Sequence, residues 1–328
     1  MRTRRRLGAA LLTTAALATL TVAAVPLAAA CESDDPPPAD RLVIATGGQG
    51  GVYYTLGHAY AEAARERWPT TVDVLTTAAA VENLKLISAG RADIAFATVD
   101  SAALAVRGEA QFGKSVPLVA LAGLYDDYLQ IVVRDGSAIR AIPDLRGKRV
   151  STGSVGSGTE IVAGRVLEAA GLDENADIRR ARLSAARSAA ALLAGQIEAF
   201  FFTGGLPTPA VADLARRTQI RLLPVVAEMA ALQNGYGDFY LSRSIPASAY
   251  GLKDEVATLG IANVLVARRD MPDETAYALT KLLFEAKPRL AAAHAEGRRL
   301  DRRAALATFP LPLHPGAARY YREAKSLV

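Results

Sequence analysis

The chain has 328 residues, 51% hydrophobic and 22% charged, enough to bury a large core and with no long low-complexity tract. A pI near 9.3 would suit a nucleic-acid binder, but Arg2, Arg4, Arg5 and Arg6 precede Cys31 with no acid beside them, leaving 34 positive against 33 negative side chains in the rest. That balance excludes an electrostatic footprint for DNA or RNA.

The first 31 residues, MRTRRRLGAALLTTAALATLTVAAVPLAAAC, have the basic start, apolar run and small residues of a secretory signal peptide. Leu7 to Ala30 is also uncharged and long enough to span a membrane as a retained anchor. Cys31, the only cysteine, closes the apolar run in the place of the acylated first residue of a bacterial lipoprotein. The usual Leu three residues before such a cysteine is Ala28 here, with Leu27 one step further away, and Ala28-Ala29-Ala30 also suits ordinary cleavage. Lipid attachment at Cys31, anchoring the protein to the cell membrane, is the expectation. A secreted or periplasmic protein and an uncleaved anchor are the alternatives. Each puts the folded part outside the cytoplasm, without disulfides, because no second cysteine exists. The acidic, Pro-rich segment 32–40 reads as a stiff tether.

Beyond the tether, short apolar runs alternate with Ala/Leu-rich helical stretches, which predicts an α/β fold. The predicted strands are LVIAT, VDVLT, DIAFAT, LVALAGLY, YLQIVVR, KRVST, EAFFFT, IRLLPV and GIANVLVA. Predicted helices include Tyr54 to Glu66, Val81 to Ala89, Glu160 to Ala170, Arg187 to Ala194 and Glu274 to His294. The two halves repeat. A strand, Thr46-Gly47, Gly50 and a helix match a strand, Thr152-Gly153, Gly156 and a helix. Further on, Gly90, Asp93, Phe96 and Thr98 match Gly195, Glu198, Phe201 and Thr203 at one offset. The repeat predicts two similar lobes whose strand-end loops face a shared cleft, where helix N-termini point inward.

Neither glycine turn is a nucleotide loop. In TGGQGGVYYTLG, Tyr53 stands where the dinucleotide fingerprint needs its third glycine, and in GSVGSGTE, Thr159 replaces the phosphate-binding Lys. What remains is a small anion nest in each lobe, with hydroxyls from Thr46 and Tyr53 in one and from Thr152, Ser157 and Thr159 in the other. The plain alternative is that the glycines only permit tight strand-to-helix turns. Of Tyr53 and Tyr54, one should pack in the core and the other line the cleft. Enzyme signals are poor: there is no G-x-S-x-G and no H-E-x-x-H, and His58, His294 and His314 lack metal-ligand spacing. Asp126 and Asp127 in LYDDYLQ read as a turn marker at a strand edge rather than a catalytic pair. No catalytic residue, metal or cofactor is predicted.

The motifs IATGGQGGVYYTLG, VENLKLISAGRADIAFAT, IPDLRGKRVSTGSVGSGTE, GQIEAFFFTGGLP and PLHPGAARYY, in this order from about Leu42 to the C-terminus, resemble the TAXI-type solute receptors of TRAP transporters. The resemblance implies a two-lobed periplasmic-binding-protein fold of type II, with the ligand cleft between lobes. Lobe 1 would be 41–133 with 257–328 and lobe 2 134–256, with hinges near Val133 to Ser137 and Ala249 to Thr258. It implies a small anionic or zwitterionic solute, of glutamate, glutamine or dicarboxylate kind, delivered by a monomer to a TRAP-type permease. A ligand sensor for a membrane histidine kinase is the alternative partner arrangement, and an enzyme of the same fold would need a base and nucleophile that the sequence does not show. Carried over by motif, lobe 1 would contribute Gly48, Gln49, Gly50, Gly51 and Tyr53, then Thr77, Glu82 and Asn83, then Thr98 and Asp100. Lobe 2 would contribute Gly153, Gly156, Ser157, Gly158 and Thr159, then Thr203, Gly204 and Gly205. Glu82 also reads as a first-turn acid stabilised by its own helix dipole. Where the family often has Gly-Ser before VENL, this chain has Ala79 and Ala80.

Overall fold

The computed structural model describes residues 40–325; the expected signal segment and Cys31 lie outside them. The first half runs β1 (Arg41–Ala45), α1 (Val52–Arg67), β2 (Thr71–Leu75), α2 (Ala80–Ser88), β3 (Ile94–Thr98) and α3 (Val99–Arg107), then the long strand β4 (Leu118–Arg134). The second half runs β5 (Arg149–Ser151), α4 (Gly158–Ala169), β6 (Arg179–Ala181), α5 (Ala185–Leu193), β7 (Ala199–Gly204), α6 (Pro209–Arg217), β8 (Ile220–Leu222), α7 (Met229–Tyr236) and β9 (Leu241–Ile245). The chain returns through β10 (Val256–Arg268) to α8 (Asp273–Glu285), α9 (Lys287–Ala293) and α10 (Pro315–Lys325).

The strands form one sheet in the order β2-β1-β3-β10-β4-β7-β5-β6, with β8 on β4 and β9 on β10. The order is two-fold. In each half the first strand of the repeat lies parallel between its two successors, and a long antiparallel strand follows the third. The matched acids explain part of this register. Asp93 Oδ2 accepts from Val43 N at 2.7 Å, and Glu198 Oε2 accepts from Arg149 N at 2.7 Å. Each carboxylate thus ties the third strand of its unit to the first with a charge-assisted bond. The fully buried β3, IAFAT, shows no polar alternation because helices cover both of its faces.

β4 and β10 join the halves. β4 pairs with β10 as far as Tyr128 and with β7 from Tyr128 on; β10 pairs with β9 up to Gly260 and with β3 from Asn263. The change of partner at Tyr128 comes ahead of residue 133, where the sequence reading ended the first stretch of lobe 1. On one face of the sheet α2, α3, α4 and α7 share a continuous core through residues such as Leu84, Ala102, Val162 and Leu232. On the other face the core is in two pieces, one under α1, α8, α9 and α10, the other under α5 and α6.

Three differences from the predicted elements have local causes. LVALAGLY and YLQIVVR are one strand, and Asp126 and Asp127 lie inside it rather than at a turn. The predicted helix Glu274 to His294 is broken after Glu285, because Pro288 lacks an N–H and its ring clashes with the carbonyl of the preceding turn. The short strands β6 (RRA) and β9 (LSRSI) carry charge where an apolar run would announce a strand, which suits their places at the sheet margin. The C-terminal segment packs on the start of β4: Ala120 N donates to Pro312 O, His314 N to Ala120 O and Tyr321 Oη to Leu121 O.

At the start of α2, Ala79 has φ 93° and ψ −142°, a conformation open to glycine and costly for any side chain. Ala79→Gly should therefore raise stability by about 1 kcal/mol, the relief of strain exceeding the extra entropy of the unfolded chain. Chemical denaturation of the two proteins measures it, and an Ala79→Gly protein less stable than the parent would contradict the assigned strain.

Candidate functional site

Between the two halves lies a cavity with about 740 Å³ of atom-free space, part of it open to solvent. Its walls come from both repeats: Gly47 to Gln49, Gly51 to Tyr53 and Thr77 to Ala80 on one side, Gly153, Ser154, Ser157 to Thr159 and Leu183 to Ala185 on the other. Thr98, Tyr125, Asp127 and Phe202 to Gly204 form the floor from the strands.

Five helices begin at this cavity. The residues that cap α1, α2, α3, α4 and α5 are Gly51, Ala79, Thr98, Ser157 and Ser184, and all five are lining residues. The first amides of each helix have no partner within the helix, and each N-terminus carries roughly half a positive charge. The lining contains no Lys, Arg or His side chain. Backbone, not guanidinium, is what an anion would meet here.

Of the residues named from sequence, Gly48, Gln49, Gly51, Tyr53, Thr77, Thr98, Gly153, Ser157, Gly158, Thr159, Thr203 and Gly204 line the cavity. Tyr53 is buried, stacks on Phe96 at 5.2 Å and donates its hydroxyl to Asn263 Oδ1, whereas Tyr54 lies outside the cavity wall against His58. Core packing and cleft lining thus fall to the same tyrosine. Several hydroxyls already have partners. Thr77 Oγ1 donates to Asn83 Oδ1 at 2.6 Å, Ser157 Oγ donates to Ser154 O at 2.7 Å, and Thr98 Oγ1 donates to Ser101 Oγ at 2.9 Å. Thr159 Oγ1 accepts from Thr203 N at 3.1 Å.

The other six are not among the lining residues. Gly50 packs near Ala210 and Ala186, and Gly156 donates to Glu160 Oε2 while its carbonyl accepts from Glu82 N across the cleft. Glu82 is exposed and its carboxylate accepts from Ala78 N at 2.6 Å, the first-turn role that its helix dipole favours. Asn83 is fully buried and bridges strands, donating to Thr46 O and Phe96 O. Gly205 is pressed against Glu296 and Tyr125. Asp100, 1% exposed, is paired with Arg165 of α4 at 3.3 Å and accepts from Tyr240 Oη at 3.0 Å, so it links the two halves behind the cavity. The hydroxyls of Thr46 and Thr152, expected in the nests, are spent on the sheet: one donates to Leu75 O, the other accepts from Arg180 Nε.

Sequence reasoning passed over several lining residues, among them Ser154, Leu183 to Ala185 and Phe202, and, with most consequence for the chemistry, Tyr125 and Asp127. Two apart on β4, they share one face of the strand and turn into the cavity, while Asp126 on the other face pairs with Arg243 at 2.7 Å. A carboxylate inside an otherwise apolar strand was the available signal. Asp127 is 4% exposed; its Oδ1, Tyr125 Oη and Thr203 Oγ1 are buried atoms with no hydrogen-bond partner. Burial pushes the Asp127 carboxyl up to about 8, opposed by the neighbouring Asn263 amide and reinforced by Glu296, Asp126 and Asp100. Among the described residues no group of His, Cys, Asp and Glu could hold a metal ion.

Asp127 ionises near 3.8 in the unfolded chain but near 8 in the folded one. Between those values the folded protein holds a proton that the unfolded chain releases, so this residue lowers stability progressively as pH rises from about 4 to 8. With no ligand added, Asp127→Asn should be more stable than the parent at pH 8, by roughly 3–5 kcal/mol, with the gap closing towards pH 4. Melting curves across that range measure it; a gap independent of pH would contradict the assignment.

The NMT1-like family model matches residues 44–324. Among solved structures, a periplasmic transporter aligns with TM-score 0.55 at 14% identity, covering 88% of this chain and 94% of that one. A Bordetella bronchiseptica protein aligns with TM-score 0.54 at 20% identity, covering 88% and 89%. The periplasmic aliphatic sulphonate binding protein SsuA from Escherichia coli aligns with TM-score 0.47 at 17% identity, covering 87% and 83%. The fold is thus the mixed α/β fold of periplasmic solute-binding proteins, as the sequence led one to expect, and the chain belongs to the NMT1-like family.

Proposed function

We propose that the protein is an extracytoplasmic solute receptor: it captures a small anionic or zwitterionic solute in the cavity between its halves and delivers it to a membrane permease. The observation that carries this reading is the convergence of five helix N-termini, without a basic side chain, on one cavity floored by unpartnered polar atoms. Such a site offers amides to a carboxylate, and closure of the halves over the solute would exclude water and strengthen each bond. The hydroxyls of Thr77, Thr98 and Ser157 are bound to neighbours rather than to a general base.

Lobe 1 in this reading comprises 41–133 with 257–328 and lobe 2 comprises 134–256. The hinges of this reading, near Val133 to Ser137 and Ala249 to Thr258, lie a few residues to the lobe 2 side of the points where β4 and β10 change partners, Tyr128 and Gly260. A TRAP-type permease as the partner, membership of the TAXI receptors and a lipid anchor at Cys31 rest on the motifs and the leader, and glutamate-like solutes are the first to try.

A thermal-shift screen of the purified full chain with amino acids, dicarboxylates and 2-oxo acids tests the receptor reading. A ligand at about a hundred times its dissociation constant adds roughly 2.7 kcal/mol, a shift of several degrees. A Cβ at Gly48 would meet only Thr77 O, at 3.9 Å, so Gly48→Asp fits and puts a carboxylate in the turn that leads into α1. It should weaken the best ligand by about 100-fold or more while leaving the circular dichroism spectrum unchanged. Unchanged affinity in that variant would remove the first glycine turn from the site.

A further inference from the structure

Two kinds of electrostatic character meet in the cavity. Five helix N-termini open on it, and among its strand residues is Asp127, the only carboxylate of the lining. Asp127 Oδ1, Tyr125 Oη and Thr203 Oγ1 are buried and unpartnered. Tyr125 and Asp127 share a strand face, and Thr203 sits on the adjacent strand β7, opposite Leu129. Buried polar atoms in a native protein are nearly always satisfied, so three orphans on one wall point to a missing partner. An ammonium group has three donors and no acceptor. The wall offers it three oxygens, one of them a carboxylate.

We propose that Asp127, with Tyr125 and Thr203, holds the ammonium of the solute, so that the cavity selects a zwitterion and discriminates against the acid lacking the amine. This rests on the solute-receptor reading above. A dicarboxylate would need Asp127 protonated, with its O–H and the Tyr125 and Thr203 hydroxyls donating, and would lose affinity as pH rises and the carboxyl ionises. A zwitterion satisfies both ends, with its carboxylate at the helix starts and its amine on the floor.

Capture is then linked to protons. With its carboxyl pushed up to about 8, Asp127 is protonated near neutral pH in the empty protein. An arriving ammonium favours the ionised form, so one proton leaves to the buffer as the ligand binds. Affinity should rise with pH, by up to about tenfold per unit, until Asp127 ionises in the empty protein as well. The groups around it do not compete for this role. Asp126 is paired with Arg243 and Asp100 with Arg165, while Glu296, itself pushed up by burial, lies outside the cavity lining, accepting from Leu206 N and pairing with Arg299. Tyr53 and Tyr125 are themselves pushed well above the ordinary tyrosine value by burial.

The test is calorimetric titration of the purified full chain with paired probes: L-glutamate and glutarate, L-leucine and 4-methylpentanoate, L-alanine and propionate. Each is run at pH 6.5 in two buffers of different ionisation enthalpy. The expected result is that at least one amine binds, its amine-free counterpart binds roughly 100-fold more weakly, and close to one proton is released per ligand. Asp127→Asn should abolish most of that preference, and Thr203→Val should reduce it about tenfold. The melting temperature of Asp127→Asn, expected at or above the parent's, separates lost recognition from lost folding. An acid that binds as tightly as its amine, or with proton uptake, would overturn the ammonium assignment and leave the receptor reading standing. Failure of all six compounds to bind would overturn both.

Discussion

The antiparallel pairing of β4 with β10 is the constraint on which the site depends. Each strand serves both repeats, so the two β-α-β-α-β units are held in one sheet with their strand ends turned towards a common centre. Helix starts follow strand ends in this topology, and five of them meet at one cavity as a result. Neither unit alone could make that arrangement. The floor residues Tyr125 and Asp127 belong to β4 itself, just before it changes partner at Tyr128. Any rotation of one half against the other would therefore alter the distance between the floor and the helix starts of the second half. The Asp100–Arg165–Tyr240 cluster ties α3 to α4 across the two halves, and such a rotation would have to break or move with it.

The electrostatics of the site come largely from backbone. Helix dipoles give the rim a positive field that no count of charged side chains would register, while the floor bears a buried acid whose ionisation is opposed by desolvation. An isolated carboxylate in that position destabilises the empty protein at neutral and higher pH. Keeping a destabilising group at a lining position is what stability traded for recognition looks like, because the cost is recovered only when a cation arrives.

Much of this was legible in the sequence because it is local. The glycine turns, the paired Asp93 and Glu198 and the repeat of about 105 residues report strand–turn–helix geometry, and that geometry places the rim. The floor was harder to see. LYDDYLQ reads as a strand interrupted by a polar turn until β10 and β7 are known to run on either side of it. Glu82, Asn83 and Asp100 sit close in sequence to lining residues, but each is drawn into a structural bond that depends on the exact path of the chain: a helix cap, a strand bridge and an ion pair between the halves. Ala79 is the reverse case. Its identity looked like a departure from the family pattern, yet the backbone retains the glycine-like conformation.

The most direct measurement is a crystal structure of the full chain with the tightest ligand found by screening. The account predicts that the anionic end of that ligand lies within hydrogen-bond distance of amides that open α1, α4 or α5, with the rest of the molecule reaching the floor between Tyr125 and Thr203. A ligand seated in the outer groove beside Glu160, Glu168 and Arg180, with the central cavity empty, would contradict it.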